Sequence, residues 1–265
     1  MHGSNARARK HFRLITVITD SISVCSAWYL TKSDLFIVAN EETAEVLTRA
    51  GIAPDQVRAL GFPVSPIFAR GQTLPREAQR VAARPRVLYV INTGKARTGK
   101  TLERLLAMNH LEITITTGRN ESLRARLTHQ LREYGHRVRI LGWTDQMPQL
   151  LMSHDVLVAK AGGAMVQEAI AACCPMIINQ VIPGQEEGNA WLIESVGAGA
   201  VATRQKDVAE LVQEAFAESG KLWQQWRNNL QRVSRPDSAL RIAEMILGGL
   251  GNHEILANKV ELLQT

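Results

Sequence analysis

The feature that most constrains the fold is the alternation of short apolar, β-branched runs with stretches of helical periodicity. Such alternation is typical of βα units, in which helices connect parallel strands and cover both faces of the sheet. The chain has 265 residues, which is enough for one large or two modest domains. We therefore expect an α/β protein. The predicted strands are residues 14–19, 35–39, 86–91, 111–117, 138–141, 156–159 and 176–179.

The helix candidates fill the intervals between these strands, and two of them stop at a glycine, Gly51 and Gly135. Glycine often follows the last turn of a helix because it adopts the left-handed conformation without strain. The predicted helices are residues 41–50, 100–108, 121–134, 165–172, 186–196, 207–219, 221–234 and 237–247.

A stretch rich in proline and polar residues divides the chain. Residues 61–85 show no sustained periodicity, so we expect a linker between domains inside this segment. The part before it is too short for a complete doubly wound domain. The predicted organisation is a partial amino-terminal domain (1–75), a linker (76–85), a second domain (86–250) and a tail (251–265).

The charge balance favours an anionic partner. Lys and Arg number 31 against 25 Asp and Glu, a net charge of +6, which suits a nucleotide, a lipid surface or a nucleic acid. Aromatic residues make up only 5%, which argues against proteins that stack single-stranded nucleic acid on aromatic platforms.

The three cysteines fit neither a disulfide framework nor a metal site, which favours a reducing compartment. No apolar run approaches the roughly 20 residues of a membrane span, so any membrane contact should be peripheral.

Residues 94–101 match the P-loop pattern G-x-x-x-x-G-K-[ST]. Glycines in such a loop let backbone N–H groups converge on phosphate oxygens at the start of a helix. A P-loop that holds Mg²⁺ also needs a carboxylate at the end of a neighbouring strand, and no later predicted strand ends in Asp. Three interpretations stay open: a true P-loop, a phosphate loop of different construction, and a solvated basic turn.

A second motif follows the predicted strand 156–159. Lys160-Ala161-Gly162-Gly163 forms a turn that opens a helix, and Glu168 lies about one and a half turns inside that helix. The turn can present N–H groups to an anion, and the carboxylate can accept two hydrogen bonds from a vicinal diol such as ribose. The alternative is a tight strand-to-helix turn with Glu168 as a surface residue favoured by the helix dipole.

A third motif follows the predicted strand 176–179. Pro183 and Gly184 set a turn, after which Gln185, Glu186 and Asn189 occupy the first turn of the next helix. Donors and acceptors at the carboxyl end of a strand suit a polyhydroxylated ligand, because ligands of open α/β sheets bind at those ends. The alternative is an arrangement that only caps the helix.

The second and third motifs together resemble the donor-sugar signature of glycosyltransferase family 28. The Pro-Gly-Gln-Glu form is closest to its monogalactosyldiacylglycerol synthase and diacylglycerol glucosyltransferase branch, and residues 17–20 with Trp28 resemble the end of that branch's amino-terminal domain. The resemblance extends from about residue 14 to residue 247. It implies a GT-B architecture, in which a partial amino-terminal Rossmann-like domain precedes a complete carboxyl-terminal Rossmann-like domain.

The resemblance also implies a donor-binding role for individual residues. It assigns Glu168 to the uridine ribose and places Gly162 and Gly163, beside Lys160, on the diphosphate side. The other residues that it implies are Gln185, Glu186 and Asn189 for the sugar hydroxyls or their loop, Gly142 and Trp143 for the uracil, and Thr93, Gly94 and Lys95 for an interdomain loop. This last assignment gives the P-loop match a second explanation.

The acceptor side departs from the family's pattern. The first strands of the amino-terminal domain and the loop with the catalytic histidine have no counterpart in the sequence. Cys25 stands where close relatives often place a histidine, five residues after the aspartate. The catalytic residue is therefore unassigned, and Asp20, at the end of the first predicted strand, is a candidate either for the general base or for a turn former.

The resemblance predicts an enzyme that transfers a hexose from a UDP-sugar to a diacylglycerol-like lipid, by direct displacement with inversion. The alternatives are a UDP-sugar-binding fragment without catalysis and a P-loop phosphotransferase, whereas the Pro-Gly-Gln-Glu turn argues against a 2-epimerase of the same fold. The UDP-sugar is a co-substrate, and no cofactor or metal is expected. The expected setting is cytoplasmic, with peripheral contact to anionic lipid on the inner face of the cell membrane and no nucleic acid partner.

Overall fold

The computed structural model describes residues 13–71, 84–91, 95–202 and 205–248, and within these ranges the strands form two parallel sheets. The smaller sheet has the order β1-β2-β3 and the larger has the order β6-β5-β4-β7-β8-β9. The strands are β1 Ile15–Val17, β2 Leu35–Val38, β3 Val57–Ala59, β4 Arg86–Val90, β5 Glu112–Thr116, β6 Val138–Leu141, β7 Val156–Lys160, β8 Met176–Gln180 and β9 Gly199–Val201.

Helices connect the strands and cover the sheets, as expected for βα units. They are α1 Ala27–Leu30, α2 Glu41–Arg49, α3 Ile67–Gly71, α4 Lys95–Leu106, α5 Glu121–Gln130, α6 Met147–Ser153, α7 Gly163–Ala172, α8 Glu187–Val196, α9 Gln205–Phe216, α10 Lys221–Val233 and α11 Ser238–Gly248. The prediction of an α/β protein with parallel sheets is confirmed.

The observed elements differ from the predicted ones in short segments and at the ends of helices. The strands β3 and β9 were not predicted, because these three-residue segments, unlike β1, do not lie in apolar β-branched runs. Helix α4 begins at Lys95 rather than at residue 100. Helix α5 ends at Gln130 and a 3₁₀ segment follows, in which Gly135 has a φ of 51° and breaks the helical geometry.

The centre of the larger sheet is buried on both faces. Strands β7 and β8 are therefore continuous apolar runs, with Val158 and Ile177 fully buried. The side chains separate into two large buried clusters, one on each face of the sheet. This packing fixes the carboxyl ends of β7 and β8 side by side.

The two sheets are joined by an exchange of helices. Phe68 of α3, which precedes the predicted linker, is fully buried in a cluster of the larger sheet. Ile242 of α11, near the end of the second predicted domain, packs with Leu35 and Ile37 of the smaller sheet. Each predicted domain thus contributes one helix to the core of the other.

We expect Phe68→Ala to lower the free energy of unfolding by about 3–5 kcal/mol, because it removes a fully buried ring and leaves a cavity. Urea denaturation followed by circular dichroism measures the loss. The neighbouring Ile67 is more than one third exposed, so Ile67→Ala serves as the control and should cost less than about 1 kcal/mol. Equal effects of the two substitutions would show that α3 is not part of the core.

Candidate functional site

The candidate site lies where β7 and β8 end and where α7 and α8 begin. Parallel neighbours end at the same edge of a sheet, and in open α/β folds ligands bind at that edge. The register pairs Ala159 with Ile178 and Lys160 with Gln180, so an irregularity falls between Ala159 and Lys160. An irregularity of this kind changes the direction of the strand's last side chain and often lies beside functional sites.

The start of α7 has no side-chain cap. Gly162 is the N-cap residue, and the first turn of the helix contains no acidic residue. The first N–H groups of a helix have no partner within the helix, and they carry a partial positive charge. With 10 residues, α7 is long enough for that charge to attract a phosphate group.

An ion pair connects the two turns of the site. The Nζ atom of Lys160 lies 2.7 Å from Oε1 of Glu186, whose side chain is buried. The second carboxylate oxygen of Glu186 accepts a hydrogen bond of 3.1 Å from the N–H group of Ile182. Glu186 thereby holds the turn before α8 against the end of β7, and both the Lys160 ammonium group and the Glu186 carboxylate lie 3.8 Å from the position of a Cβ atom at Gly162.

Asn189 makes a second connection between these turns. Its side chain is 3% exposed, and its Nδ2 donates a 3.1 Å hydrogen bond to the carbonyl oxygen of Ala161. Its Oδ1 has no hydrogen-bond partner in the described part of the chain. A Cβ atom at Gly163 would lie 3.5 Å from Nδ2 of Asn189, an ordinary contact distance, so the starts of α7 and α8 lie close together.

Gln185 is the exposed polar side chain of the turn before α8. The turn is closed by the N–H group of Gly184, which donates a 2.7 Å hydrogen bond to Oε1 of Glu187, and Gly184 has a φ of 77°. Because Glu186 and Asn189 hold the backbone, Gln185 is the member of this motif whose side chain faces solvent. Among the three, it is the one placed to contact a ligand.

Glu168 is half-buried on α7 and forms no hydrogen bond or ion pair with the other described residues. Burial raises the pKa of its carboxyl group above the usual range, because the ionised form loses solvent without gaining a partner. A desolvated carboxylate without a partner weakens a fold, and such groups concentrate at functional sites. Two ligand hydroxyl groups would satisfy it.

Trp143 and Gly142 lie at the same edge of the sheet but beyond two intervening strands. They follow β6, which is separated from β7 by β5 and β4, a distance of about 14 Å between strand axes. Trp143 is largely exposed, whereas Gly142 packs against Glu121 and Arg124 of α5. The structure places this pair across the sheet edge from Glu168 rather than in contact with it.

The predicted interdomain loop, which comprises Thr93, Gly94 and Lys95, leads in the chain to α4. Thr93 and Gly94 lie outside the described residues, and only the backbone of Lys95 is described, as the first residue of α4. Residues 95–100 are helical, whereas a P-loop needs the residues between its glycines to curl around phosphate oxygens. The backbone therefore argues against a P-loop.

Asp20 lies beyond the end of β1, between the two sheets. Its Oδ2 accepts a 3.0 Å hydrogen bond from the indole N–H group of Trp28. The carbonyl oxygen of Thr19, the preceding residue, lies 3.3 Å from the position of a Cβ atom at Gly163. The smaller sheet thus brings the segment that contains Asp20 to the start of α7.

Two Rossmann-like units meet at the glycine turn before α7, close to Glu168, whose carboxylate has no partner among the described residues, and this arrangement is that of a two-domain α/β protein of the GT-B type. A model of the glycosyltransferase family 28 C-terminal domain matches residues 91–236, and a model of monogalactosyldiacylglycerol (MGDG) synthase matches residues 4–64. The chain belongs to glycosyltransferase family 28.

Curated relatives cover most of this chain at low identity. The chloroplastic monogalactosyldiacylglycerol synthase 2 of Arabidopsis thaliana is 26% identical over 251 residues, 90% of this chain and 53% of the relative. The processive diacylglycerol beta-glucosyltransferase of Bacillus subtilis (strain 168) is 27% identical over 225 residues, 83% of this chain and 59% of the relative. The chain thus spans little more than half the length of these relatives.

Solved structures with the same fold are more distant in sequence. The S. aureus MnaA–UDP co-structure has a TM-score of 0.61 at 15% identity, over 83% of this chain and 61% of the other. The UDP-GlcNAc 2-epimerase of Neisseria meningitidis bound to UDP-GlcNAc has a TM-score of 0.58 at 15% identity, over 82% and 62% of the two chains. These similarities confirm the expected GT-B-like fold.

Glu168→Gln tests the site directly. We expect the dissociation constant for uridine diphosphate to rise about tenfold at pH 7.5, because an ionised acceptor is replaced by a neutral amide. Since burial raises the pKa of Glu168, acidification should protonate the wild-type carboxylate and bring the two affinities together. Isothermal titration calorimetry at a series of decreasing pH values, starting from pH 7.5, measures both effects.

Glu194→Gln, an exposed position on α8, is the control and should leave the affinity unchanged. Equal affinities of Glu168→Gln and wild type at pH 7.5 would remove Glu168 from the site.

Proposed function

We propose that the chain catalyses transfer of a hexose from a UDP-sugar to a hydroxyl group of a diacylglycerol-like lipid, with inversion at the anomeric carbon. The observation that carries this proposal is the half-buried carboxylate of Glu168, which has no partner among the described residues, on the helix α7, whose start has no side-chain cap. One end of this arrangement suits a ribose diol and the other suits a diphosphate, and together they match a nucleoside diphosphate.

The comparisons support the choice of donor and acceptor. Two relatives that cover most of the chain carry the names monogalactosyldiacylglycerol synthase and processive diacylglycerol beta-glucosyltransferase. Both names describe addition of a hexose to diacylglycerol. The P-loop alternative, which the helical conformation of residues 95–100 disfavours, is not proposed.

In the proposed reaction, the lipid hydroxyl attacks the anomeric carbon while the bond to the diphosphate breaks. The leaving diphosphate gains negative charge, which the N–H groups at the start of α7 and the ammonium group of Lys160 stabilise. Glu186 keeps Lys160 in place at a distance of 2.7 Å. A base must accept the hydroxyl proton, and Asp20, whose carboxylate accepts a 3.0 Å hydrogen bond from Trp28, is the candidate. That no cofactor beyond the UDP-sugar takes part stays a prediction.

Transfer from radiolabelled UDP-galactose or UDP-glucose to diacylglycerol in mixed vesicles tests the reaction. We expect a labelled monohexosyl diacylglycerol whose β-linkage, determined by NMR spectroscopy, shows inversion of the α-linked donor. Asp20→Asn should reduce the rate at least about a hundredfold if Asp20 accepts the proton. Binding of the UDP-sugar without transfer would instead support the alternative of a non-catalytic binding module.

The acceptor side carries apolar side chains that fit contact with a membrane. Helix α1 buries none of its residues, and Trp28 and Leu30 are 55% and 74% exposed. The bond between Trp28 and Asp20 places this helix beside the candidate base. Within the described part of the chain, no helix combines the length and the apolar character that crossing a membrane requires. We propose that α1 lies on the membrane surface from which the lipid acceptor is taken.

Leu30→Ser should weaken binding to vesicles that contain anionic lipid and diacylglycerol by about fivefold to tenfold, because burial of this side chain contributes about 1–1.5 kcal/mol. Vesicle sedimentation measures the binding. Leu240→Ser on α11 also replaces a partly exposed leucine and should have no effect. Equal binding by the two variants would contradict the assignment of α1 to the membrane surface.

A further inference from the structure

A buried hydrogen bond joins the two domains next to the donor site. Nε2 of Gln167 donates a 2.8 Å hydrogen bond to Oγ of Ser21, and the two residues are only 8% and 2% exposed. Gln167 lies on α7 immediately before Glu168, and Ser21 immediately follows Asp20. The bond therefore connects the helix of the proposed ribose carboxylate to the segment of the candidate base.

Two glycines provide space for the same segment, residues 19–23. A Cβ atom at Gly188, in the first turn of α8, would lie 2.6 Å from the N atom of Ser23, which is too close for a methyl group. At the start of α7, a Cβ atom at Gly163 would lie 3.3 Å from the carbonyl oxygen of Thr19. Residues 19–23 thus pack directly against the starts of both helices of the site.

The backbone of this segment is strained. Ile22 has a φ of 65°, a region that β-branched residues rarely adopt, and the N–H group of Ser23 closes a tight turn onto the carbonyl oxygen of Ser21 at 2.7 Å. The N–H group of Ile22 donates a 3.0 Å hydrogen bond to Oγ1 of Thr43. The Ile22 side chain packs against the core of the larger sheet. Strain of this kind persists only where several contacts hold it, and it concentrates at functional sites.

We propose that Gln167 is a positioning residue, which holds residues 19–23, and with them Asp20, at the helix starts where the donor binds. This role rests on the proposed function, because positioning of Asp20 by the Gln167–Ser21 hydrogen bond affects the reaction only if hexose transfer takes place. This role does not require Gln167 to contact the nucleotide, because its Nε2 donates to Ser21 of the other domain. Its loss should therefore affect the alignment of acceptor and donor more than the affinity for the donor.

The test compares Gln167→Ala with wild type in transfer, in calorimetry with UDP and in hydrogen exchange. We expect kcat to fall about tenfold, whereas the donor KM and the dissociation constant for UDP change less than about threefold. Exchange of the amides of Ile22 and Ser23 should accelerate at least about tenfold, because the segment loses its anchor. Gln130→Ala, at the exposed end of α5, should match wild type in all three measurements.

Gly188→Ala acts on the same segment by a different route, since its methyl group would displace Ser23. It should reproduce the loss of kcat and the faster exchange, whereas Gly248→Ala, a helical position with open space around it, should not. An unchanged kcat or unchanged exchange in Gln167→Ala would overturn the proposal, and so would a loss of UDP affinity as large as the loss of kcat.

Failure of the proposed function gives a different result. Wild type would then transfer no hexose, whether or not it binds UDP. The exchange comparison between Gln167→Ala and wild type would still show whether Gln167 holds residues 19–23: faster exchange in the variant supports that anchoring, and equal exchange overturns it.

Discussion

The geometry of the site depends on the ion pair between Lys160 and Glu186. Parallel pairing places the ends of β7 and β8 side by side, but the turns that leave them would be independent without a connection. A buried carboxylate is costly unless it is paired and hydrogen-bonded, and Glu186 is both, because it contacts Lys160 and the N–H group of Ile182. This connection holds the Lys160 ammonium group and the Glu186 carboxylate together beside the start of α7, so the geometry of the two turns is set before any ligand binds.

The polar residues of the two motifs have different roles in the structure, although all of them are polar side chains near a helix start. Glu186 and Asn189 are buried and hold backbone, whereas Glu168 has no partner within the described residues and Gln185 faces solvent. The raised pKa of Glu168 reflects the cost of keeping an unpaired carboxylate at the cleft. Proteins keep a destabilising buried carboxylate mainly where a ligand satisfies it. For this reason Glu168 indicates a binding site more strongly than Glu186 or Asn189 does.

Much of the fold and part of the site could be predicted from local patterns. The apolar runs of β7 and β8 and the glycine turn before α7 are visible in sequence, because burial on both faces and a tight turn each restrict the residues allowed. The exchange of α3 and α11 between the sheets could not be predicted, since Phe68 and Ile242 show apolar character but not the partner on which they pack. The bond between Gln167 and Ser21 joins residues far apart in the chain, and neither belongs to a recognisable motif.

We propose that the larger domain holds a uridine nucleotide at the carboxyl ends of β7 and β8. Hydrogen exchange measured by mass spectrometry with saturating UDP, compared with ATP, tests this binding. We expect UDP to protect the backbone at the start of α7 and in the turn before α8, whereas ATP should protect neither. Protection confined to the region of α4, or equal protection by both nucleotides, would contradict it.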